Sequence, residues 1–161
     1  MPICQRGLTL DLTTFAVFLC ACIAAAATGI IFQPGSWYEA LKKPGWTPPR
    51  WAFPVVWTIL YVLIAVAAAR VAAVPESGTA LAFWSLQIAL NTLWTPVFFG
   101  GHHKRAGLII IVLLWFCVAA MIPLFWALDV IASLLLVPYL AWLSVATALN
   151  FWIWRNNPGR A

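Results

Sequence analysis

Trp46-Thr47-Pro48-Pro49-Arg50-Trp51-Ala52-Phe53-Pro54 packs three prolines, two tryptophans, a phenylalanine and one fixed positive charge into nine residues. Each proline fixes its φ, lacks an N–H and pushes the residue before it toward extended geometry. The stretch therefore resists helix until about Pro54, a proline suited to the first turn of one. It lies between two apolar segments, and tryptophans flanking such an entry point sit naturally at the headgroup level of a bilayer. Any polar loop would serve as a mere connection here. A stiff aromatic one points to a lid or a wall.

Working outward from it, the chain of 161 residues is 65% hydrophobic, 15% aromatic and only 8% charged, with a mean hydropathy of +0.97. A soluble domain carries about 25% charged residues, so this one belongs in a membrane. Uncharged runs cover 12–38, 51–69, 77–103, 106–128 and 130–154. A spanning helix needs about 20 mainly apolar residues, and all five runs supply them. Alternation of period two is absent, which argues against a transmembrane barrel. The expectation is an all-α integral membrane protein, one domain over 1–161. It is a five-transmembrane-helix bundle with spans near 12–32, 54–74, 79–99, 106–128 and 130–154 and a structured Trp/Pro-rich loop between the first two.

The charges assign a topology. Lys42, Lys43, Arg50, Lys104, Arg105, Arg155 and Arg160 collect on one side, and Arg6 and Arg70 with Asp11, Glu76 and Asp129 on the other. Lys and Arg accumulate in cytoplasmic loops, so the Trp/Pro loop and the C-terminus are expected in the cytoplasm and the N-terminus outside. The net charge of +5 is used up by this asymmetry, which leaves no role for a nucleic-acid partner. Ala24 to Ala27 supply small residues, but no cleavage signature follows a short apolar region closely. The first run reads as a retained helix rather than a removed signal.

The cysteines do not form a framework. Cys20 and Cys22 point to different faces of one helix, Cys117 lies in another span, and Cys4 in the N-terminal tail is open to stray intermolecular pairing. His102 and His103 are adjacent, so their side chains diverge, and no acid or thiol stands nearby. No metal site is expected.

The uncharged runs hold no Asp, Glu, Lys or Arg, and their two histidines lie in the link after the third. Intramembrane ionisable residues mark proton relays and ion pathways, and their absence weighs against a pump, an ion-coupled transporter or an acid–base enzyme. What remains is amides and rings. Trp57 and Tyr61 share a face of the second span. Asn91, Trp94 and Phe98 share one on the third. On the fifth, Pro138, Trp142, Ala146 and Asn150 step by four. Such faces serve either as packing and interhelical glue or as the walls of a ligand pocket. Asn91 and Asn150 are costly in hydrocarbon without a partner, so they bond each other, bond a helix backbone or orient a ligand. Pockets between helices are mainly apolar, with a few polar groups for orientation. A flat hydrophobic molecule such as a tetrapyrrole or a sterol suits these rings, and Arg50 is placed to meet a carboxylate at the mouth.

Trp46-x-Pro48-Pro49, Phe53-Pro54-x-x-Trp57-x-x-x-Tyr61, Asn91-x-x-Trp94, Pro138-Tyr139-x-x-Trp142 and Asn150 together resemble the translocator protein family. Its bacterial members are the TspO or tryptophan-rich sensory proteins, and its mitochondrial members were named the peripheral benzodiazepine receptor. The likeness runs from about Phe15 to Arg155. It implies a five-helix bundle, usually a homodimer, in which loop 1 closes over a pocket for protoporphyrin IX, a haem-like tetrapyrrole or benzodiazepine-type drugs. Carried over by position, the ligand-binding residues are Trp46, Pro48, Pro49, Trp57, Tyr61, Asn91, Trp94, Phe98, Trp142, Ala146 and Asn150. The implied role is a receptor or sensor, with transport as an adjunct, rather than an enzyme. Light-dependent porphyrin breakdown is the rival activity, with Trp57 and Trp142 at its matching positions. The C-terminal cholesterol motif of mitochondrial members needs a tyrosine, and Leu149 to Arg155 has none, so cholesterol is the weaker ligand and a bacterial-type member the better match. A bacterial cell membrane is expected, with an outer membrane as the alternative.

Overall fold

In the computed structural model, which describes residues 11–159, the chain is helical almost throughout. Its elements are α1 (Leu12–Ile31), α2 (Ser36–Ala40), α3 (Ala52–Ala72), α4 (Gly78–Thr95), a π-helical turn over Pro96–Gly100, α5 (Lys104–Trp126) and α6 (Val130–Asn156). Cys4, Arg6 and Arg160, which figured in the sequence reading, lie outside the described residues.

Local chemistry sets the ends. The Asp11 carboxylate caps α1, with Oδ2 accepting from the Thr14 N–H at 2.9 Å and from the Thr14 hydroxyl. Those same bonds hold the Asp11 carboxyl below its usual range, the Thr14 hydroxyl contributing most. Asp129 caps α6 in the same way, its Oδ1 accepting from the Ala132 N–H at 2.9 Å. Both satisfy donors that the first turn of a helix leaves open.

Among the described residues four helices, α1, α3, α5 and α6, are long and apolar enough to cross a membrane. α4 is the fifth long helix. It has 18 residues and carries Gln87 and Asn91, which lower its apolar character. Two features correct the expected plain five-helix count. A sixth α-helix, α2, interrupts loop 1. The expected 79–99 span also changes character at Pro96, which has no N–H to continue the α-ladder. The chain widens there, and the Gly101 N–H reaches the Pro96 carbonyl at 2.8 Å. The other boundaries move by two residues or so from those expected.

The helices pack as a closed ring in the order α1, α3, α6, α5, α4, with α4 returning to α1. Small residues make the close approaches: Ala65, Ala67, Ala68 and Ala69 of α3 are all buried. Without a hydrophobic driving force between helices in lipid, such packing and interhelical hydrogen bonds hold a bundle together. The Trp84 indole donates to the Ile64 carbonyl at 3.2 Å and meets Phe18 edge-on at 4.7 Å, tying α4 to α3 and α1. Only Cys22 and Ala25 of α1 are buried, so its alanine-rich stretch packs through Ala25 and half-buried Ala26 while Ala24 and Gly29 face outward. Arg70, at the last turn of α3, meets Asp129 at 2.7 Å across the bundle end remote from loop 1.

Candidate functional site

Three helices and loop 1 contribute to an aromatic interior. Its polar thread begins at Tyr61, whose hydroxyl donates to Asn91 Oδ1 at 2.8 Å. Asn91 Nδ2 donates to the Tyr139 hydroxyl at 3.1 Å, and Tyr139 in turn donates to Gln87 Oε1 at 2.9 Å. All four residues are buried. Of the roles open to Asn91, the structure shows an interhelical bridge joining α3, α4 and α6. Asn150 does not reach it. Its Nδ2 donates to the Ala146 carbonyl of its own helix at 2.9 Å, and its Oδ1 has no partner among the described residues.

Rings surround this thread. Trp57 stacks on Tyr61 at 5.3 Å and meets Tyr139 edge-on at 6.1 Å. Phe53 meets Trp142 at 5.5 Å. These are two cross-helix pairs about one turn apart along the α3/α6 seam. Near loop 1, Trp94 lies parallel to Phe98 at 5.2 Å and 12°, and Phe98 is 1% exposed. The π-helical turn places Phe98 and Phe99 there; segments of this kind occur frequently at functional sites.

Loop 1 is docked on that end. Trp37 stacks on His102 at 4.3 Å and touches Phe98 edge-on at 5.8 Å. Tyr38 meets Phe99 at 5.3 Å, and Leu41 is buried beside Phe98, Leu149 and Ile153. Asn157 then clamps the loop: its Oδ1 accepts from the Lys42 N–H at 2.8 Å and its Nδ2 donates to the Lys42 carbonyl at 3.1 Å. Lys104 Nζ donates to the Asn157 carbonyl at 2.9 Å, fixing the clamp to the start of α5. Arg50, expected at a ligand's carboxylate, pairs with Glu39 at 2.6 Å on the exposed rim. Burial raises the Tyr38 phenol, with Arg50 opposing it. Desolvation first, and then Arg50, lower the Lys43 ammonium, while Glu39 pulls it back.

Of the residues named from sequence, Trp57, Tyr61, Asn91, Trp94, Phe98 and Trp142 join this interior, with Ala146 half-buried and Asn150 buried beside it on α6. Trp46 and Pro49 are exposed and Pro48 is half-buried on the rim. In their place Trp37, Tyr38, Leu41 and Phe53 supply the loop-side contacts. Tyr139 and Gln87 were missed as site residues. Each was within reach of helical spacing, Tyr139 three before Trp142 and Gln87 four before Asn91.

Six buried polar atoms of this region lack a partner among the described residues: Trp37 Nε1, Gln87 Nε2, Trp94 Nε1, Trp142 Nε1, Thr147 Oγ1 and Asn150 Oδ1. On the outer side of the α3/α6 seam, a wholly non-ionisable groove of about 360 Å³ opens, with Trp142 as part of its wall.

Comparison with known proteins places these features in context. A family model described as the TspO/MBR family matches residues 16–155. Protein CrtK of Rhodobacter capsulatus is 52% identical over 154 residues, covering 93% of this chain and 96% of that protein. The tryptophan-rich sensory protein of Cereibacter sphaeroides is 48% identical over 153 residues, 95% of this chain and 97% of that one. The Homo sapiens translocator protein is 34% identical over 128 residues, 76% of each chain.

Proposed function

The chain belongs to the TspO/MBR family, and from that premise we propose that it is a membrane receptor or sensor for flat hydrophobic tetrapyrroles, protoporphyrin IX or a haem-like relative. The ligand is held between α3, α4 and α6 beneath loop 1. The observation that carries this reading is the set of unpartnered polar atoms on Trp94, Trp142, Thr147 and Asn150. Buried polar groups are nearly always hydrogen-bonded, and each exception calls for a reason. A ligand with a flat apolar body and a polar edge supplies both missing halves: faces for the stacked rings and partners for the orphaned donors and acceptors.

The bundle end that bears loop 1 holds Lys42, Lys43, Arg50, Lys104, Arg105 and Arg155 against Glu39. That asymmetry favours a cytoplasmic loop 1 and five spans, α4 included, in a bacterial membrane. Gly78 and Ala82 are exposed on α4, and nothing lies within 4 Å of a Cβ built on Gly78. A small-residue face of this kind suits a homodimer seam.

Titration with protoporphyrin IX in the dark, read by quenching of tryptophan emission, tests the pocket. Trp142→Phe removes an indole wall and its N–H, and Ala146→Thr adds bulk to a half-buried position. Each is expected to weaken binding by about tenfold, the equivalent of 1.4 kcal/mol. Parent-like affinity in both would place the ligand elsewhere. Illumination afterwards separates receptor from photodegrading enzyme, since only the latter loses porphyrin absorbance with turnover.

A further inference from the structure

We propose that the seam between α3 and α6 is a lateral entrance by which a flat ligand dissolved in the bilayer reaches the aromatic interior, with the Trp142 indole as its door. The proposal rests on the ligand-binding reading above. It begins from the two sides of one seam. On the inner side, Phe53 meets Trp142 and Trp57 meets Tyr139. On the outer side, Val56 and Leu60 of α3 and Pro138, Ala141, Trp142 and Val145 of α6 line the groove. Trp142 belongs to both. Its ring is therefore the partition between lipid and interior.

Three features suit that ring to move. Its Nε1 makes no hydrogen bond to any described residue, so a rotation breaks none among them. Among the described residues, its one ring–ring contact across the seam is an edge-on meeting with Phe53. Pro138, four residues before it, lies inside α6 and cannot bond the carbonyl one turn earlier, which loosens the ladder beside the groove. The loop 1 end is closed by contrast. Two Asn157–Lys42 bonds, the Lys104 bond to Asn157, the Trp37–His102 stack and buried Leu41 would all have to part there. A molecule partitioned into lipid also meets no water on the lateral path.

The occupant is the same flat apolar ring system, for a specific reason. The groove walls are apolar, and Trp142, one of the residues that form them, carries an unpartnered indole N–H of the same kind as the orphaned polar atoms of the interior. The groove supplies passage and the interior supplies orientation.

The test uses the full chain in lipid nanodiscs, with protoporphyrin IX as probe, mixed in the dark and followed by porphyrin absorbance. Ala141→Trp and Val145→Trp fill the groove from its lipid side, where both positions are exposed. Leu134→Trp adds the same bulk at an exposed site of α6 that does not line the groove, and melting of each variant verifies its folding. An entrance that must open slows passage in both directions, so association and dissociation rate constants are each expected to fall by about tenfold in the groove variants while Kd stays within about twofold. The Leu134 variant keeps the parent's rates. Parent-like rates in both groove variants overturn the entrance and send the ligand past loop 1. A weakened Kd with unchanged association also overturns it, because the groove is then a resting place, for the probe or an acyl chain, and not a route. Absence of saturable binding by the parent removes the ligand reading itself, and this proposal with it.

Discussion

Replacing Tyr139 by alanine is expected to destabilise the bundle by about 3–5 kcal/mol, the range for removing a large buried ring. Tyr139 is fully buried and its ring faces Trp57. Its hydroxyl receives from Asn91 and donates to Gln87. The alanine variant thus opens a cavity and strands two amides at once. Tyr139→Phe separates the effects. It keeps the ring and deletes the hydroxyl, and interhelical hydrogen bonds in membrane proteins average about 0.6 kcal/mol, with a further penalty for Gln87 left without a donor. A loss of about 1 kcal/mol is expected. Unfolding in mixed micelles by titration with a denaturing detergent measures both. A phenylalanine variant as damaged as the alanine one would show that polar bridging, and not packing, holds the three helices together.

The second large effect belongs to the opposite end of the molecule. Arg70→Met is expected to cost about 3 kcal/mol, the low end of the range for stranding one member of a buried ion pair. The low end applies because the Arg70 side chain is 20% exposed, whereas the Asp129 side chain is 5% exposed. The Arg70–Asp129 contact ties the last turn of α3 to the cap of α6, so its loss strains two helix ends. Adding Asp129→Asn should recover most of the stability, since the amide still caps the helix and no unpaired charge remains. The same detergent titration on the single and double variants closes the cycle. A double variant no better than Arg70→Met would mean that the arginine acts through packing of its stem rather than its charge.

Much of this architecture was legible in the sequence because hydrophobic runs and cation placement are one-dimensional signals. The runs located every long helix, and the clustering of Lys and Arg matched one bundle end, where Lys104 and Lys42 meet Asn157. The π-helical turn was not legible. Pro96 announces a break in the ladder, but whether the chain kinks or widens depends on what Phe98 and Phe99 pack against. The sixth helix, α2, is only five residues long and is held by rings on other elements.

The site divides along the same line. Asn91 could be read as an amide in need of a partner. That its partners are Tyr61 and Tyr139, on two other helices, depends on helix azimuths that spacing on one helix cannot supply. The α6 series shows how small offsets accumulate. Steps of four residues rotate about 40° each, so three steps carry the series from exposed Pro138, through Trp142 and Ala146, to buried Asn150. A list that looked like one face crosses from lipid to core. Trp46, Pro48 and Pro49, site residues by the family resemblance, frame the rim, while the loop contacts inside come from Trp37, Tyr38 and Leu41.

The central claim is that the interior of this bundle receives a tetrapyrrole. Its most direct test is the melting temperature of the purified protein in the dark across a protoporphyrin IX titration. A ligand of the native state alone stabilises by RT ln(1 + [L]/Kd), about 2.7 kcal/mol at a hundredfold excess over Kd. For a chain of this length that corresponds to a rise of roughly 5–10 °C. The account predicts a saturable rise of that size, diminished by Trp142→Phe. A folded protein whose melting temperature does not move at any porphyrin concentration would contradict it and leave the aromatic interior as packing alone.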